Sequence, residues 1–176
     1  MNDHQVVMMG LGYIGLPTAA LIAKNGTRVI GVDINEEVVK VINSGKVHII
    51  EPQLENEVST AVKSGLLTAH TAPVEGDVYL IVVPTPFKGK HEPDISYVEA
   101  ATRTILPLLK EGDLYIIEST SPIGTTEKMR DLIYESRPEL ENTLFIAYCP
   151  ERVLPGNVMH ELVHNDRVIG GIDDQS

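Results

Sequence analysis

Residues 5–17 read QVVMMGLGYIGLP, and this stretch decides the fold. It opens with apolar residues at successive positions, which favours a strand covered on both faces, as in a parallel sheet. The chain then passes through Gly10, Gly12 and Gly15 in a G-x-G-x-x-G spacing and continues as a nearly all-apolar segment to Lys24. A strand, a glycine-rich turn and a helix in this order predict the first βαβ unit of an α/β fold.

The three glycines of this turn each have a physical reason. Glycine at position 10 allows a tight turn, at position 12 it lets the backbone approach a pyrophosphate, and at position 15 it lets helix and strand pack closely. A diphosphate would bind to the free N–H groups at the start of the helix. The turn therefore predicts a dinucleotide site.

A carboxylate after the second apolar stretch discriminates among dinucleotides. Asp33 ends the segment RVIGVD, where it can accept hydrogen bonds from adenosine ribose hydroxyls. It would repel a 2′-phosphate, and the following Ile34 and Asn35 offer no cation to hold one. The sequence therefore predicts NAD rather than NADP, with FAD as the main alternative.

The same alternation of strand and helix continues along the chain. Apolar runs predict further strands at 28–33, 66–70, 77–83, 113–119, 144–149 and 167–171. Helix-like segments lie at 13–24, 35–45, 52–65, 94–110 and 125–136. Asn35 should cap the second of these and Asp94 or Ser96 the fourth, in which Pro107 should kink the last turns or end the helix early. We expect one domain over residues 1–176, with a Rossmann-like, doubly wound, mainly parallel sheet and helices on both faces.

Net charge, apolar runs and cysteine count limit which partners and which compartment are expected. The formal net charge is −11, which disfavours nucleic acid and anionic membranes as partners. There is no run of about 18 apolar residues that could cross a bilayer. The one cysteine, Cys149, allows no internal disulfide and is compatible with a reducing compartment, so we expect a cytoplasmic protein.

One motif points to a different chemistry. Residues 160–164 read HELVH, which matches the H-E-x-x-H signature of zinc proteases. A catalytic zinc needs a third protein ligand, and after His164 the chain offers only Asp166, Asp173 and Asp174. We expect no metal site here, and a zinc hydrolase is the remote alternative.

A hydroxyl-rich loop follows one of the predicted strands. The strands at 77–83 and 113–119 should end at the same sheet edge as the glycine turn, so the loops after them should face the ligand. The second loop belongs to the stretch ESTSPIGTT and carries five hydroxyl groups, on Ser119, Thr120, Ser121, Thr125 and Thr126. Capping of the next helix explains one hydroxyl, so the others are expected to bind ligand.

Taken in order, GLGYIGLP, the strand-ending Asp33, VPTP, ESTSPIGTT and PERVLPG resemble the N-terminal portion of the UDP-glucose/GDP-mannose dehydrogenase family. The resemblance covers essentially the whole chain. PERVLPG followed by HEL is similar to the branch that oxidises UDP-N-acetylmannosamine for bacterial surface polysaccharides such as enterobacterial common antigen. UDP-glucose dehydrogenases tend to carry F-L-x-E-G after the same Pro-Glu. Another UDP- or GDP-sugar, or a non-catalytic NAD-sensing module, is the alternative.

The resemblance implies a four-electron oxidation of a primary alcohol of a UDP-sugar to a carboxylate, with two NAD used in succession. It implies that NAD is contacted by Gly10, Gly12, Tyr13, Ile14, Gly15, Asp33, Thr85, Ser119 and Thr126. It further implies that Thr120 holds the reacting water, that Glu151 assists as a base, and that the sugar nucleotide faces Arg152, Val153, Leu154, His160 and Glu161. From the sequence alone, Glu151 could instead form an ion pair with Arg152.

Family members are more than twice this length, and their nucleophilic cysteine and partner lysine lie in a later domain. We therefore expect this chain to be an N-terminal fragment, inactive alone, of a protein that forms a homodimer when full length. Cys149 ends an apolar strand with no His or Lys beside it in sequence, which predicts a buried, inert thiol.

Overall fold

The computed structural model describes residues 4–176, so residues 1–3 of the predicted domain lie outside the described residues. Nine strands are assigned: β1 Gln5–Met9, β2 Arg28–Val32, β3 Leu67–His70, β4 Val78–Ile81, β5 Phe87–Lys88, β6 Glu92–Pro93, β7 Leu114–Ile117, β8 Phe145–Tyr148 and β9 Gly170–Gly171. Six α-helices accompany them: α1 Gly15–Lys24, α2 Glu36–Asn43, α3 Leu54–Lys63, α4 Ser96–Ile105, α5 Thr125–Ser136 and α6 Val158–His164.

Seven of the strands form one sheet in the order β3-β2-β1-β4-β7-β8-β9. Every neighbouring pair is parallel except β8 and β9, which run antiparallel. The chain fills one side of β1 with β2 and β3 and then crosses to the other side with β4, so the strand order reverses between β1 and β4. The predicted doubly wound, mainly parallel sheet is confirmed, and the reversal marks where a ligand should bind.

The sheet is covered on both faces, which explains why its strands are apolar at successive positions. Val6 and Met8 belong to one buried cluster, while their neighbours Val7 and Met9 belong to the other. The first cluster takes its helical residues from α1, α2 and α3, and the second from α4 and α5. Helices therefore pack on both faces, as the sequence predicted.

Several local predictions are confirmed at the level of single bonds. The Asn35 side chain accepts a hydrogen bond from the Glu37 N–H and caps α2. The Asp94 carboxylate accepts one from the Ser96 N–H at the start of α4, and α4 ends at Ile105, before Pro107. Such caps satisfy backbone donors that have no partner inside the helix.

Several features differ from the prediction. Helix α6, Val158–His164, was not among the predicted helices. The strand expected at 167–171 is reduced to Gly170 and Gly171, because Arg167 turns inward to carboxylates instead of joining the sheet. The short hairpin of β5 and β6 was missed, since two-residue strands leave no periodic signal. Among residues 4–176, no helix combines the length and apolarity needed to cross a membrane.

Candidate functional site

A cavity of about 550 Å³ opens where the strand order reverses. The loops after β1, β2, β4, β7 and β8 all reach it, because parallel strands end at the same edge. The predicted site residues that line it are Gly10, Gly12, Tyr13, Ile14, Asp33, Thr85, Ser119, Thr120, Glu151 and Val153. Residues that are far apart in sequence are thus brought to one surface, as the switch-point rule predicted.

The glycine turn can be built only with glycine at two of its three positions. Gly10 has φ +104°, and an added Cβ would lie 2.9 Å from the carbonyl carbon of Val82. A Cβ on Gly15 would overlap the carbonyl oxygen of Gly10. At Gly12, by contrast, no atom lies within 4 Å of an added Cβ. Gly12 therefore leaves open space at the cavity wall, which suits a ligand that approaches the backbone closely.

The Asp33 carboxylate is fixed by hydrogen bonds from two backbone N–H groups. Its Oδ2 accepts a hydrogen bond from Leu11 N–H at 3.2 Å, and its Oδ1 accepts one from Asn35 N–H at 2.9 Å. A carboxylate offers about four acceptor sites, so two remain for ligand hydroxyls. The residue thus holds the glycine turn and still presents acceptors to the cavity.

Three of the five hydroxyls of the loop donate to backbone carbonyl oxygens. Ser119 also lines the main cavity, and its role toward NAD stays a prediction. Ser119 is buried, and its Oγ accepts from Val83 N–H at 2.9 Å and donates to Val83 O at 2.8 Å. Thr125 is buried and donates to Pro122 O at 2.7 Å, and Ser121 donates to Ser119 O at 2.9 Å. These three hydroxyls shape the loop.

The other two hydroxyls lie at different cavities. Thr120 is exposed at the wall of the main cavity, close to the residues after β8. Thr126 lies at a second cavity of about 540 Å³, which is also lined by Arg130, Tyr148 and Gly170. The loop therefore separates two concave surfaces, and the role of Thr126 toward NAD stays a prediction.

Glu151 is paired with an arginine that the sequence did not indicate. Its carboxylate contacts Arg167 Nη2, whereas the sequence allowed a pair with its neighbour Arg152. The guanidinium of Arg152 is turned away and donates to Asp166 O at 2.8 Å. The alternative of a Glu151–Arg152 ion pair is therefore wrong, because the chain after α6 folds back and delivers Arg167 instead.

Arg167 also reaches a second carboxylate. Its Nη1 donates to Oε1 of Glu118 at 3.1 Å, and the Glu118 side chain is 0% exposed. Burial raises the pKa of Glu118, and the charge and hydrogen bond of Arg167 oppose that rise. Cys149 is buried as predicted, with its Sγ 3.7 Å from the same Nη1. Glu118 and Arg167 are the residues of this site that sequence reasoning missed.

The segment after Glu151 is held by two further carboxylates. Oε2 of the buried Glu51 accepts from Gly156 N–H at 2.8 Å, and its Oε1 accepts from Val158 N–H at 2.7 Å. Oε2 of Glu161 accepts from Leu154 N–H at 2.8 Å, which holds the pKa of Glu161 below its ordinary range. These bonds fix the loop from which Val153 reaches the cavity.

A model of the UDP-glucose/GDP-mannose dehydrogenase family, NAD binding domain, matches residues 4–176. The chain belongs to this family. As its NAD-binding domain, the chain uses NAD as its cofactor. The glycine turn, the open wall at Gly12 and the acceptors of Asp33 are compatible with that cofactor.

Individual relatives agree with the family. The chain is 58% identical to UDP-N-acetyl-D-mannosamine dehydrogenase of Escherichia coli K12, and the match covers 98% of this chain and 43% of the relative. It is 51% identical to NDP-N-acetyl-D-galactosaminuronic acid dehydrogenase of Ralstonia nicotianae, again over 98% of this chain and 43% of the relative. The chain thus spans less than half the length of the curated relatives it matches.

A solved structure of a relative has the same fold as this chain. The UDP-D-ManNAc dehydrogenase of Pyrococcus horikoshii superposes with a TM-score of 0.93 and is 43% identical, with 97% of this chain and 42% of that chain covered. The backbone fold is therefore shared over nearly the whole chain.

The H-E-x-x-H motif does not line the main cavity. His160 and His164 are exposed on the short helix α6, where their rings stack with centroids 4.0 Å apart, and His164 Nδ1 lies 2.8 Å from His160 O. Glu161 is engaged by the Leu154 N–H and by Asn157. Within residues 4–176, no three His, Cys, Asp or Glu side chains cluster as a metal site.

Not every predicted substrate residue reaches the main cavity. Val153 lines it, whereas Arg152, Leu154, His160 and Glu161 are placed on the adjoining loop and helix. Gly15 is buried at the start of α1, where it serves packing. The roles proposed for these residues remain predictions.

Proposed function

We propose that the chain is the NAD-binding part of a nucleotide-sugar 6-dehydrogenase that oxidises UDP-N-acetylmannosamine to the uronic acid in two NAD-dependent steps. The observation that carries the proposal is the shared cavity. Its wall joins the glycine turn and Asp33 to Thr120 and Glu151. A dinucleotide site and a candidate acid–base residue are thus within reach of one ligand.

The chain's own residues divide the work of cofactor binding. Backbone N–H groups of the glycine turn and the start of α1 would bind the diphosphate, aided by the positive end of the helix dipole. Asp33 would accept hydrogen bonds from the adenosine ribose hydroxyls and disfavour a 2′-phosphate. Thr85 and Thr126 would contact the remainder of the ligand. When bound, NAD supplies the hydride acceptor for each step.

Thr120 and Glu151 would act where water enters the reaction. The Thr120 hydroxyl is exposed at the cavity wall and can hold a water by one hydrogen bond. Glu151, from the neighbouring strand end, can accept a proton from that water as a general base. In the full-length protein, the nucleophilic cysteine and its partner lysine would come from outside this chain.

The substrate would lie over the segment that follows Glu151. Arg152, Val153 and Leu154, with His160 and Glu161 on α6, would face the sugar nucleotide. The preference for UDP-N-acetylmannosamine is supported by the 58% identity to the E. coli enzyme. The Ralstonia relative, at 51% identity, favours another N-acetylated sugar nucleotide as the second candidate. A cytoplasmic homodimer is part of the same proposal.

The proposal is tested by assaying the full-length protein. It should be incubated with NAD and, in turn, UDP-N-acetylmannosamine, UDP-glucose and GDP-mannose, while NADH and uronic acid are measured. We expect the fastest turnover with UDP-N-acetylmannosamine and two NADH for each sugar oxidised. A stoichiometry of one NADH, or turnover with none of these sugars, would contradict the proposal.

A further inference from the structure

One arginine joins two acidic residues from two different strand ends. Glu118 follows β7, Glu151 follows β8, and Arg167 precedes β9. The guanidinium donates to Glu118 through Nη1 and contacts Glu151 through Nη2. The carboxylates are among the least accessible acidic side chains of the chain, at 0% and 7% exposure, and both residues line the main cavity.

Two carboxylates in such a place are costly unless a cation pairs with them. Burial disfavours the charged form of an acid, and a second negative charge nearby adds to that penalty. A guanidinium is always protonated, and its planar fork can donate in two directions at once. Arg167 therefore provides what a buried acid pair requires.

Each carboxylate keeps one oxygen without a hydrogen bond among the described residues. Glu118 Oε1 accepts from Arg167, but Glu118 Oε2 is buried with no hydrogen-bond partner in residues 4–176. Glu151 Oε1 is buried and has, in that range, no hydrogen bond besides its ion-pair contact with Arg167 Nη2, whereas its Oε2 accepts from Arg152 N–H at 3.3 Å. Glu118 is fully buried, while Glu151 keeps 7% exposure at the cavity that Thr120 also lines.

We propose that Arg167 is a positioning residue for the reaction: it keeps the Glu151 carboxylate directed at the cavity, and Glu118 anchors the guanidinium from the other side. This inference rests on the proposed function, in which Glu151 acts as the base. It assigns to Glu118 an indirect role, since its carboxylate holds the arginine and not the substrate. Cys149 Sγ, 3.7 Å from Nη1, is part of the same packing.

The inference separates turnover from cofactor binding. Without the guanidinium, the Glu151 carboxylate would leave its position, and the acid–base contribution would be lost. The glycine turn and Asp33 have no contact with Arg167 among the described hydrogen bonds, so NAD affinity should not change. Lysine in place of Arg167 would supply charge without the fork, and should restore part of the turnover.

The test uses the full-length protein with three variants: Arg167→Met, Arg167→Lys and Arg103→Met. Arg103 is the matched control, because it forms an exposed ion pair with Glu99 on α4. We expect Arg167→Met to lower kcat about 10- to 100-fold, less than the roughly 100- to 10,000-fold for complete loss of a general base because Glu151 itself is retained, with the Kd for NAD changed less than about 3-fold. Arg167→Lys should recover part of kcat, and Arg103→Met should match the wild type.

Each outcome decides between the proposal and its failure. An active wild type whose kcat is unchanged in Arg167→Met would overturn the inference alone. A kcat loss matched by an equal loss of NAD affinity would also overturn it, since that would indicate general disruption. If Arg167→Met does not fold, Arg167→Lys decides, and a wild-type kcat there would overturn the inference. A wild-type protein that oxidises no nucleotide sugar would overturn the proposed function and this inference with it.

Discussion

Two regions of the main cavity are positioned in different ways. The glycine turn, residues 10–15, is fixed by its own backbone and by the strands beside it, with Gly10 N–H bonded to Val32 O. The acidic segment, which we define as residues 151–167, is held by side chains far away in sequence. Glu51 binds Gly156 and Val158, and Glu118 binds Arg167. The glycine turn is thus held by backbone contacts with neighbouring strands, and the acidic segment by carboxylates that are distant in sequence.

The difference has a consequence for mutation. Adding a Cβ at Gly10 or Gly15 of the glycine turn should disrupt packing, because backbone atoms already fill the space where it would go. Removing a carboxylate from under the acidic segment should free a loop and leave the sheet intact. Mutations in the two regions should therefore have different effects, and those in the glycine turn should lower the free energy of unfolding more.

The largest effect is expected for Gly15→Ala. The new Cβ would overlap the Gly10 carbonyl oxygen, and neither backbone segment can move without shifting the sheet. We expect the free energy of unfolding to fall by about 3 kcal/mol or more, the upper part of the range for overpacking. Urea denaturation measures the free energy of unfolding.

Gly12→Ala is the matched control. It should keep wild-type stability but bind NAD more weakly, because its Cβ would project into the open space at the cavity wall.

The next effect is expected for Glu51→Ala. The change leaves the N–H groups of Gly156 and Val158 without their charged acceptor, and we expect a loss of about 2 to 3 kcal/mol in local stability. Hydrogen exchange should show faster exchange at these amides, with the sheet amides unchanged. Glu111→Ala, at an exposed glutamate, serves as the control. Uniform acceleration across the sheet would contradict the comparison.

Asp33→Asn tests the link between the glycine turn and the ligand. The amide keeps one oxygen but loses the charge and the second acceptor, so the bonds to Leu11 N–H and Asn35 N–H cannot both be kept as they are. We expect NAD binding to weaken by roughly 1 to 3 kcal/mol. Calorimetric titration measures the change. Unchanged affinity would show that the acid is not at the ribose.

Glu118→Gln should change how the free energy of unfolding depends on pH. Burial raises the pKa of Glu118 in the folded state above its unfolded value, which is about 4.3. The folded state therefore holds the proton more tightly, and stability declines as the pH rises from the unfolded pKa through the folded one. The glutamine variant should lose that part of the decline. Parallel curves of unfolding free energy against pH for both proteins would refute the assignment.

The smallest effect is expected at the histidine pair. His160→Ala removes an exposed ring that stacks on His164, and neither residue lines the main cavity. We expect NAD affinity and stability within experimental error of the wild type. The wild type should also bind zinc no more tightly than the variant does. Loss of a bound zinc together with loss of the fold would instead favour the hydrolase alternative.

The sequence predicted what local rules control. The glycine turn, the Asn35 cap and the apolar strands each carry a signal within a few residues, and all were recovered. The hydrogen bonds that Ser119 and Ser121 donate to the backbone were not predicted, because a hydroxyl that bonds to backbone looks the same in sequence as one that faces a ligand. The acceptors under the acidic segment had no local signal.

The ion pair between Arg167 and Glu118 shows why contacts between residues distant in sequence could not be predicted. Arg167 opened the run RVIGG, which has the composition of a strand, yet its partner Glu118 lies 49 residues away in sequence. Only the closing of β8 against β7 brings the two together. One weak indication that Glu118 is buried was present in the sequence: it directly follows the apolar and aromatic residues that end a strand.

The central claim, that the glycine turn and Asp33 form an NAD site, is tested most directly by calorimetric titration of the purified chain with NAD and, in parallel, NADP. The account predicts a measurable Kd for NAD and much weaker binding of NADP, because the Asp33 carboxylate would face the 2′-phosphate. Equal affinity for the two dinucleotides, or no binding of NAD, would contradict it.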